Sequence, residues 1–358
     1  MTRNLKIILI SSAAAALGLA AVFSGMRRAA TAEAGRFDWD TVSAVALVKG
    51  YPAAISALDA RIAAHPRDAI LFYYKARLYY EQDLPRETLA AADKAIELGY
   101  MQQISLALKG MTYGRLYGDH ARQREFASRA LAFDPLYDDG YLVRAEAEYS
   151  LKDYKACAAD AAAFAGMQPG LPDGYEHAML CLEELKDYKG AEAAGLRILA
   201  LKPDSHAALW RLGRVYVGQG LNKRAVKKFS EAIRLSGGRP QYYLDRAKAC
   251  EAEGDYTCAA WDYASTMDWK EISDYATNYY QLGAAMYRAG ELKPGLDAAD
   301  QAVKKAPGDA ANYELRGRLR ADSGDHAGAK KDFLKMSSLS PSRTAEADAL
   351  IKKLKQKK

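Results

Sequence analysis

The chain is poor in the residues and motifs that carry chemistry. Its 358 residues include four cysteines, at 157, 181, 250 and 258, and five scattered histidines, His65, His120, His177, His206 and His326. No C-x-x-C occurs, so the common sign of a zinc or redox site is missing. G-x-S-x-G, H-E-x-x-H and G-x-x-x-x-G-K are all absent, which removes the nucleophile elbow, the metalloprotease helix and the phosphate loop. Carboxylates are plentiful, as on any soluble helix, and single out no acid/base pair. Glu183 and Glu184 read as a solvated face, and His177 beside Glu176 as surface or groove lining. These absences predict a non-catalytic protein with no metal and no cofactor.

Three further shortages narrow the class. No stretch alternates apolar and polar residues in the manner of a half-buried strand, so the chain is expected to be all-α. No low-complexity linker divides it into separate domains. Basic residues do not gather into a groove. Of the formal net charge of +6, Arg3, Lys6, Arg27 and Arg28 lie near the start, and Lys352, Lys353, Lys355, Lys357 and Lys358 at the end. Those nine charges exceed the net value, so the middle of the chain carries no net positive charge, which argues against nucleic acid as a partner. The lysine tail reads as a solvated end, with contact to anionic lipid as the rival reading.

Residues 1–34 stand apart. Arg3 and Lys6 precede an uncharged apolar run from Ile7 to Phe23, and Ala30-Thr31-Ala32 follows as a small-x-small pattern. This is the layout of a cleaved secretory signal peptide. The run is also about long enough to act as an N-terminal membrane anchor. Both readings put the remainder outside the cytoplasm, in the periplasm or attached to the envelope.

What the chain has in abundance is alanine and a period of 34. Between Pro203 and Gly237, Leu212-Gly213, Tyr216, Gly220, Ala225, Phe229 and Ala232 are spaced as two short amphipathic helices with a tight turn. Small residues fall where the helices must approach and large ones around them. Pro135, Pro169 and Pro203 stand 34 apart, as do Pro307 and Pro341. A proline suits the end of a helix, because it lacks an N–H and disfavours helix in the residue before it. An early small residue recurs as Ala76, Gly110, Ala145, Gly213, Ala247, Gly283 and Gly317. A second recurs as Ala54, Cys157, Ala191, Ala225, Ala259, Gly295 and Ala329. Turn signatures recur between them: Gly50-Tyr51, Asp153-Tyr154, Asp187-Tyr188, Gly254-Asp255 and Gly324-Asp325.

This pattern resembles the tetratricopeptide repeat, a 34-residue helix–turn–helix unit that stacks in arrays. The resemblance implies a right-handed α-solenoid, a superhelix of about nine such repeats. The prolines set their bounds at 35–68, 69–102, 103–137, 138–171, 172–205, 206–239, 240–275, 276–309 and 310–343. Residues 344–358 then read as a capping helix and basic tail. The third unit carries an extra residue near Tyr117-Gly118-Asp119-His120, and the seventh two near Asp268 to Asp274.

In the resembled family the first helix of each unit lines a concave groove, and its second, fifth, ninth, twelfth and thirteenth positions touch ligands. Transferred to this chain, those positions give Tyr73, Arg77, Tyr80, Arg115, Glu146, Tyr149, Trp210, Arg214, Lys248, Tyr280, Arg288 and Arg318 as partner-binding candidates. Tyrosine, tryptophan and arginine are the types that dominate interface energetics. The ninth-position column contains no asparagine, unlike the family's subtype that holds a peptide's terminal carboxylate.

The repeat reading also places the cysteines. Cys250 and Cys258 fall on facing helices of one hairpin, and Cys157 and Cys181 on adjacent helices of neighbouring repeats. In an exported protein this suggests two disulfides; four buried thiols at small-residue positions are the alternative. The expected function is an envelope scaffold or adaptor that holds a protein or an extended peptide in its groove. A polysaccharide-binding module is the second reading, prompted by aromatics such as Tyr73, Tyr80, Trp210 and Tyr280.

Overall fold

A computed structural model describes residues 38–99, 101–267, 269 and 275–356. The expected targeting segment, 1–34, lies outside the described residues. Among those described there is no strand, and no helix is long and apolar enough to cross a membrane. The chain divides into two compact units at Pro203/Asp204.

The first unit holds five helix pairs: α1 (Trp39–Lys49) with α2 (Tyr51–Ala64), α3 (Ala69–Glu81) with α4 (Pro85–Glu97), α5 (Gln102–Tyr117) with α6 (His120–Phe133), α7 (Asp138–Ser150) with α8 (Tyr154–Met167), and α9 (Asp173–Glu184) with α10 (Tyr188–Leu201). The second holds four: α11 (His206–Gly218) with α12 (Asn222–Ser236), α13 (Pro240–Ala252) with α14 (Tyr256–Thr266), α15 (Ala276–Arg288) with α16 (Leu292–Lys305), and α17 (Ala310–Asp322) with α18 (His326–Leu339). A 3₁₀ turn, Pro341–Arg343, then leads into the last helix, α19 (Thr344–Gln356). Within each unit every helix packs on the next, and successive first helices also touch.

The turn inside each pair is built one way. Its pivotal residue has positive φ in all nine: Gly50, Asp83, Gly118, Lys152, Lys186, Gly220, Gly254, Gly290 and Gly324. Glycine takes that conformation freely, whereas an L side chain pays about 1 kcal/mol or more for it. In five pairs an aspartate follows, Asp119, Asp153, Asp187, Asp255 or Asp325, and its carboxylate accepts from the backbone N–H three residues on. That bond satisfies one orphan donor at the start of the second helix. The extra residue of the third unit is absorbed by its first helix: α5 runs 16 residues, against 11 to 13 in the other first helices.

The small column lets the paired helices close. Ala76, Ala145 and Ala247 are fully buried. In the sixth and ninth pairs the column is glycine because phenylalanine lies opposite: a Cβ at Gly213 would stand 2.4 Å from the Phe229 ring, and one at Gly317 2.5 Å from Phe333. Around the column Leu58, Leu78, Phe164, Met179, Ile198, Leu212, Phe229, Tyr263, Leu319, Phe333 and Met336 are fully buried. Helix α19 covers the end of the second unit with Ala347 and Leu354, joining the cluster of Phe333 and Met336.

Electrostatic clamps cross the helix pairs at a fixed spacing of 16 residues. Arg144 grips Asp160 through Nε and Nη2 at 2.6 and 2.8 Å, Arg246 grips Asp262 at 2.8 and 2.7 Å, and Arg316 grips Asp332 at 2.9 and 2.7 Å. These bidentate pairs are planar and charge-assisted. The same column also reaches back to the preceding pair: Lys75 to Asp59 at 2.5 Å, Lys109 to Asp93, and Arg316 to Asp300 at 2.9 Å.

Gly→Ala usually stabilises a helix interior. At Gly213 the Phe229 contact reverses the sign, and Gly213→Ala is expected to destabilise the second unit by about 1–3 kcal/mol. Urea unfolding checks this, and adding Phe229→Leu should recover most of the loss.

Candidate interaction surface

The first-helix positions named from the sequence fall into three groups. Tyr73, Arg77 and Tyr80 on α3 were expected on an open binding face, but they are only 8, 4 and 5 % exposed. Their chemistry is turned inward. The Arg77 guanidinium lies 3.7 Å from the Trp39 ring centroid and 3.8 Å from Glu81. Arg115 lies 4.8 Å over the Tyr80 ring and bonds Asp83 at 2.8 Å. Burial pushes the Tyr80 phenol up to about 12, raises Tyr73 further and lowers Arg77. Arg115 itself remains exposed.

On α7, Glu146 and Tyr149 are half-buried. Glu146 accepts from the buried Gln123 at 3.0 Å, and Tyr149 tilts against Tyr154 at 5.6 Å. Nearby is a residue the sequence reading passed over. Asp139, in the first turn of α7, is 3 % exposed, and its Oδ1 has no hydrogen-bond partner among the described residues. Burial first, then the Asp138 and Asp173 carboxylates, push its carboxyl up to about 8.

The second unit has a more open arrangement. Trp210 stacks on Tyr242, centroids 5.3 Å apart and planes 20° from parallel, and its Nε1 donates to Asp245 at 2.8 Å. His206 Nδ1 lies 2.9 Å from the Tyr242 hydroxyl, and Gln241 donates to Asp245 at 3.0 Å. Arg214 stands 5.2 Å from the Trp210 ring, and both Arg214 and Lys248 are exposed. Tyr280 is half-buried against the Leu315 and Leu319 cluster. Arg288, exposed, lies 5.4 Å over Tyr256. Arg318 is held by Glu314 at 2.7 Å, and Glu314 also takes Arg343 at 2.5 Å. Tyr242 and Asp245 were not among the sequence candidates, because they sit at positions three and six of their helix. Only the 35-residue step from Trp210 to Asp245 hinted that a donor and acceptor would meet.

The structure brings the four cysteines together as two pairs. Cys157 on α8 meets Cys181 on α9 with Cα atoms 6.0 Å apart, and Cys250 on α13 meets Cys258 on α14 at 5.9 Å. Both spans suit a disulfide. Cys250, Cys258 and Asp262 place ligand atoms within 4.8 Å of one another. The donor set does not fit a metal, since both Asp262 oxygens are engaged by Arg246 and the two sulfurs face each other.

Nine helix pairs of one turn design, closing through a small-residue column, define the tetratricopeptide-repeat architecture. No family model matches the chain. Among curated proteins it is 22 % identical over 166 residues to DNJ1, a tetratricopeptide repeat and J domain-containing co-chaperone of Cryptococcus neoformans. That match covers 44 % of this chain, and the chain spans about a third, 32 %, of the relative's length. Among solved structures it is similar to a tetratricopeptide repeat protein of Parabacteroides merdae (15 % identity, TM-score 0.48, 70 % of this chain and 98 % of that one). It is also similar to YrrB, a repeat protein described as having an unusual peptide-binding site (17 % identity, TM-score 0.49, 56 % and 99 %).

Two outcomes are expected from this geometry. A carboxyl held at about 8 in the fold and near its ordinary value when unfolded binds its proton more tightly in the native state. Its penalty is therefore absent at about pH 4 and complete above about pH 8. Asp139→Asn should leave stability unchanged at the acid end and raise it by more than about 1 kcal/mol at about pH 9, read by urea unfolding. For the cysteines, alkylation of oxidised protein should label none. After mild reduction of the folded protein Cys258 should react first, because it alone is half-buried while the other three are buried; peptide mass mapping gives the order.

Proposed function

We propose that the chain is a non-catalytic scaffold of the cell envelope, and that it holds a partner protein or an extended peptide across its first-helix surface. The observation that carries this reading is the second-unit cluster. Trp210 is fixed by Tyr242 and Asp245, with exposed Arg214 5.2 Å from its ring and exposed Lys248 three residues after Asp245 on α13. A large ring already locked by stacking and a hydrogen bond loses little freedom on binding, so contact with it is efficient. The adjoining exposed cations offer hydrogen bonds and charge to a partner's carbonyls or carboxylates. Export is supported by the apolar run from Ile7 to Phe23 and by the two cysteine pairs, since disulfides persist in oxidising compartments.

In-cell crosslinking and capture tests the proposal. The native protein is compared with Trp210→Ala, Arg214→Ala and Lys248→Ala combined, which spares the buried Tyr73, Arg77 and Tyr80. A defined protein recovered with the native form, and reduced roughly tenfold or more with the variant, is the expected result. Equal recovery overturns this placement of the surface. No protein from either form, with quenching of tryptophan emission by soluble glycan, moves the reading to polysaccharide.

A further inference from the structure

The three arginine–aspartate clamps differ in one neighbour. Four residues after each arginine, one helical turn on, another side chain sits beside the same buried aspartate. In the ninth pair it is Arg320, whose Nη1 donates to Asp332 at 2.8 Å. In the seventh it is Cys250, with its sulfur within 4.8 Å of an Asp262 oxygen and joined to Cys258. In the fourth it is Glu148. There a second carboxylate takes the place that a cation or a neutral sulfur holds elsewhere in the chain.

The pair is closed off from solvent. Glu148 is 6 % exposed and Asp160 7 %. One guanidinium serves both: Arg144 Nε is 2.6 Å from Asp160 Oδ2 but 3.9 Å from Glu148 Oε1. Glu148 Oε2 has no hydrogen-bond partner among the described residues. Arg144 faces Glu148 from its own helix, Asp160 faces it from α8, and Asp153 from the turn before α8. Helix α6 contributes the neutral Gln123, which bonds Glu146 instead. On α9, Cys181 packs with Ala145 and Cys157 and, paired with the latter, does not titrate. Two carboxylates thus lie around one cation, and a proton on Glu148 relieves their repulsion.

We propose that Glu148 keeps a proton in the fold and that the fourth helix pair is a proton-operated joint: protonated, Glu148 donates to Asp160 and ties α7 to α8; deprotonated, the two repel and the pair loosens. Burial, and then Asp160, push the Glu148 carboxyl up to about 7, which places the transition near neutrality. The proton comes from and returns to solvent, and no bond other than O–H is made or broken. Helix α7 also carries Glu146 and Tyr149, so loosening would alter how they are presented, whether or not a partner is bound.

The sign follows from linkage. Between the ordinary glutamate value and about 7 the native state binds more protons than the unfolded chain, so stability falls as pH rises through that window and stays lower above it. The test uses full-length protein carrying Asp139→Asn, which silences the other raised carboxyl of α7. Unfolding equilibria and hydrogen exchange of α7 and α8 are followed from about pH 5 to about pH 9, with and without Glu148→Gln. The parent should become roughly tenfold or more easier to unfold across the range. Glu148→Gln should flatten the profile and exceed the parent at the alkaline end, and Glu148→Arg, which copies the ninth pair, should do the same. Parallel profiles for parent and variants overturn the joint. Should the variants not fold, difference infrared on the parent decides. A protonated-carboxyl stretch present at about pH 6 and gone by about pH 9 supports it, and its absence at the lower pH overturns it.

Discussion

Everything in this chain depends on how closely two helices of a pair can approach. A short amphipathic helix cannot bury its apolar stripe alone, and a pair still leaves one flank open, so the array exists only by stacking. The close approach is set by one column of small residues, which is glycine at 213 and 317, where a phenylalanine ring fills the gap. The positive-φ turn and the aspartate cap then return the chain at the correct angle for the second small column to meet the first. The 16-residue clamps hold that geometry through buried aspartates, where hydrogen-bonded ion pairs add orientation more than net stability.

How much of this was legible in the sequence divides along physical lines. Repeat architecture was legible, because close packing and turn chemistry act within 34 residues and leave a period behind. Spacing alone also brought Cys250 to Cys258 across one hairpin. Burial at Tyr73, Arg77 and Tyr80 was not legible. A position index tells which way a side chain leaves its helix, but not how far neighbouring repeats close over it, and here Trp39 and Arg115 do so. Lys152 and Lys186 at the turn pivot were likewise hidden, since neither residue type advertises positive φ. The Arg144–Asp160 clamp was missed because an i, i+16 pairing has meaning only once the hairpin is built.

The two units spend their polar side chains differently. In the first, cations and aromatic rings of the first helices satisfy one another, and the leftovers are buried acids, Asp139 and Glu148. In the second, one face of Trp210 is committed to Tyr242 while Lys248, on the same helix as Tyr242, is exposed. A surface of the second kind can accept a ligand without first being taken apart. The first kind resists both ligand and water, and that burial raises the Asp139 and Glu148 carboxyls above their ordinary range.

The bridge between Cys157 and Cys181 bears on how the array comes undone. Linear arrays fray from their ends one repeat at a time, because each unit is coupled only to its neighbours. This bridge joins the second helix of the fourth pair to the first helix of the fifth. The last pair of the first unit therefore cannot peel away singly, and the two must open as one block. The link between Cys250 and Cys258 lies inside a single pair and leaves the boundaries on either side free to part. Two bonds of the same chemistry thus do different mechanical work: one makes two neighbouring pairs open together, and the other only stiffens a single pair.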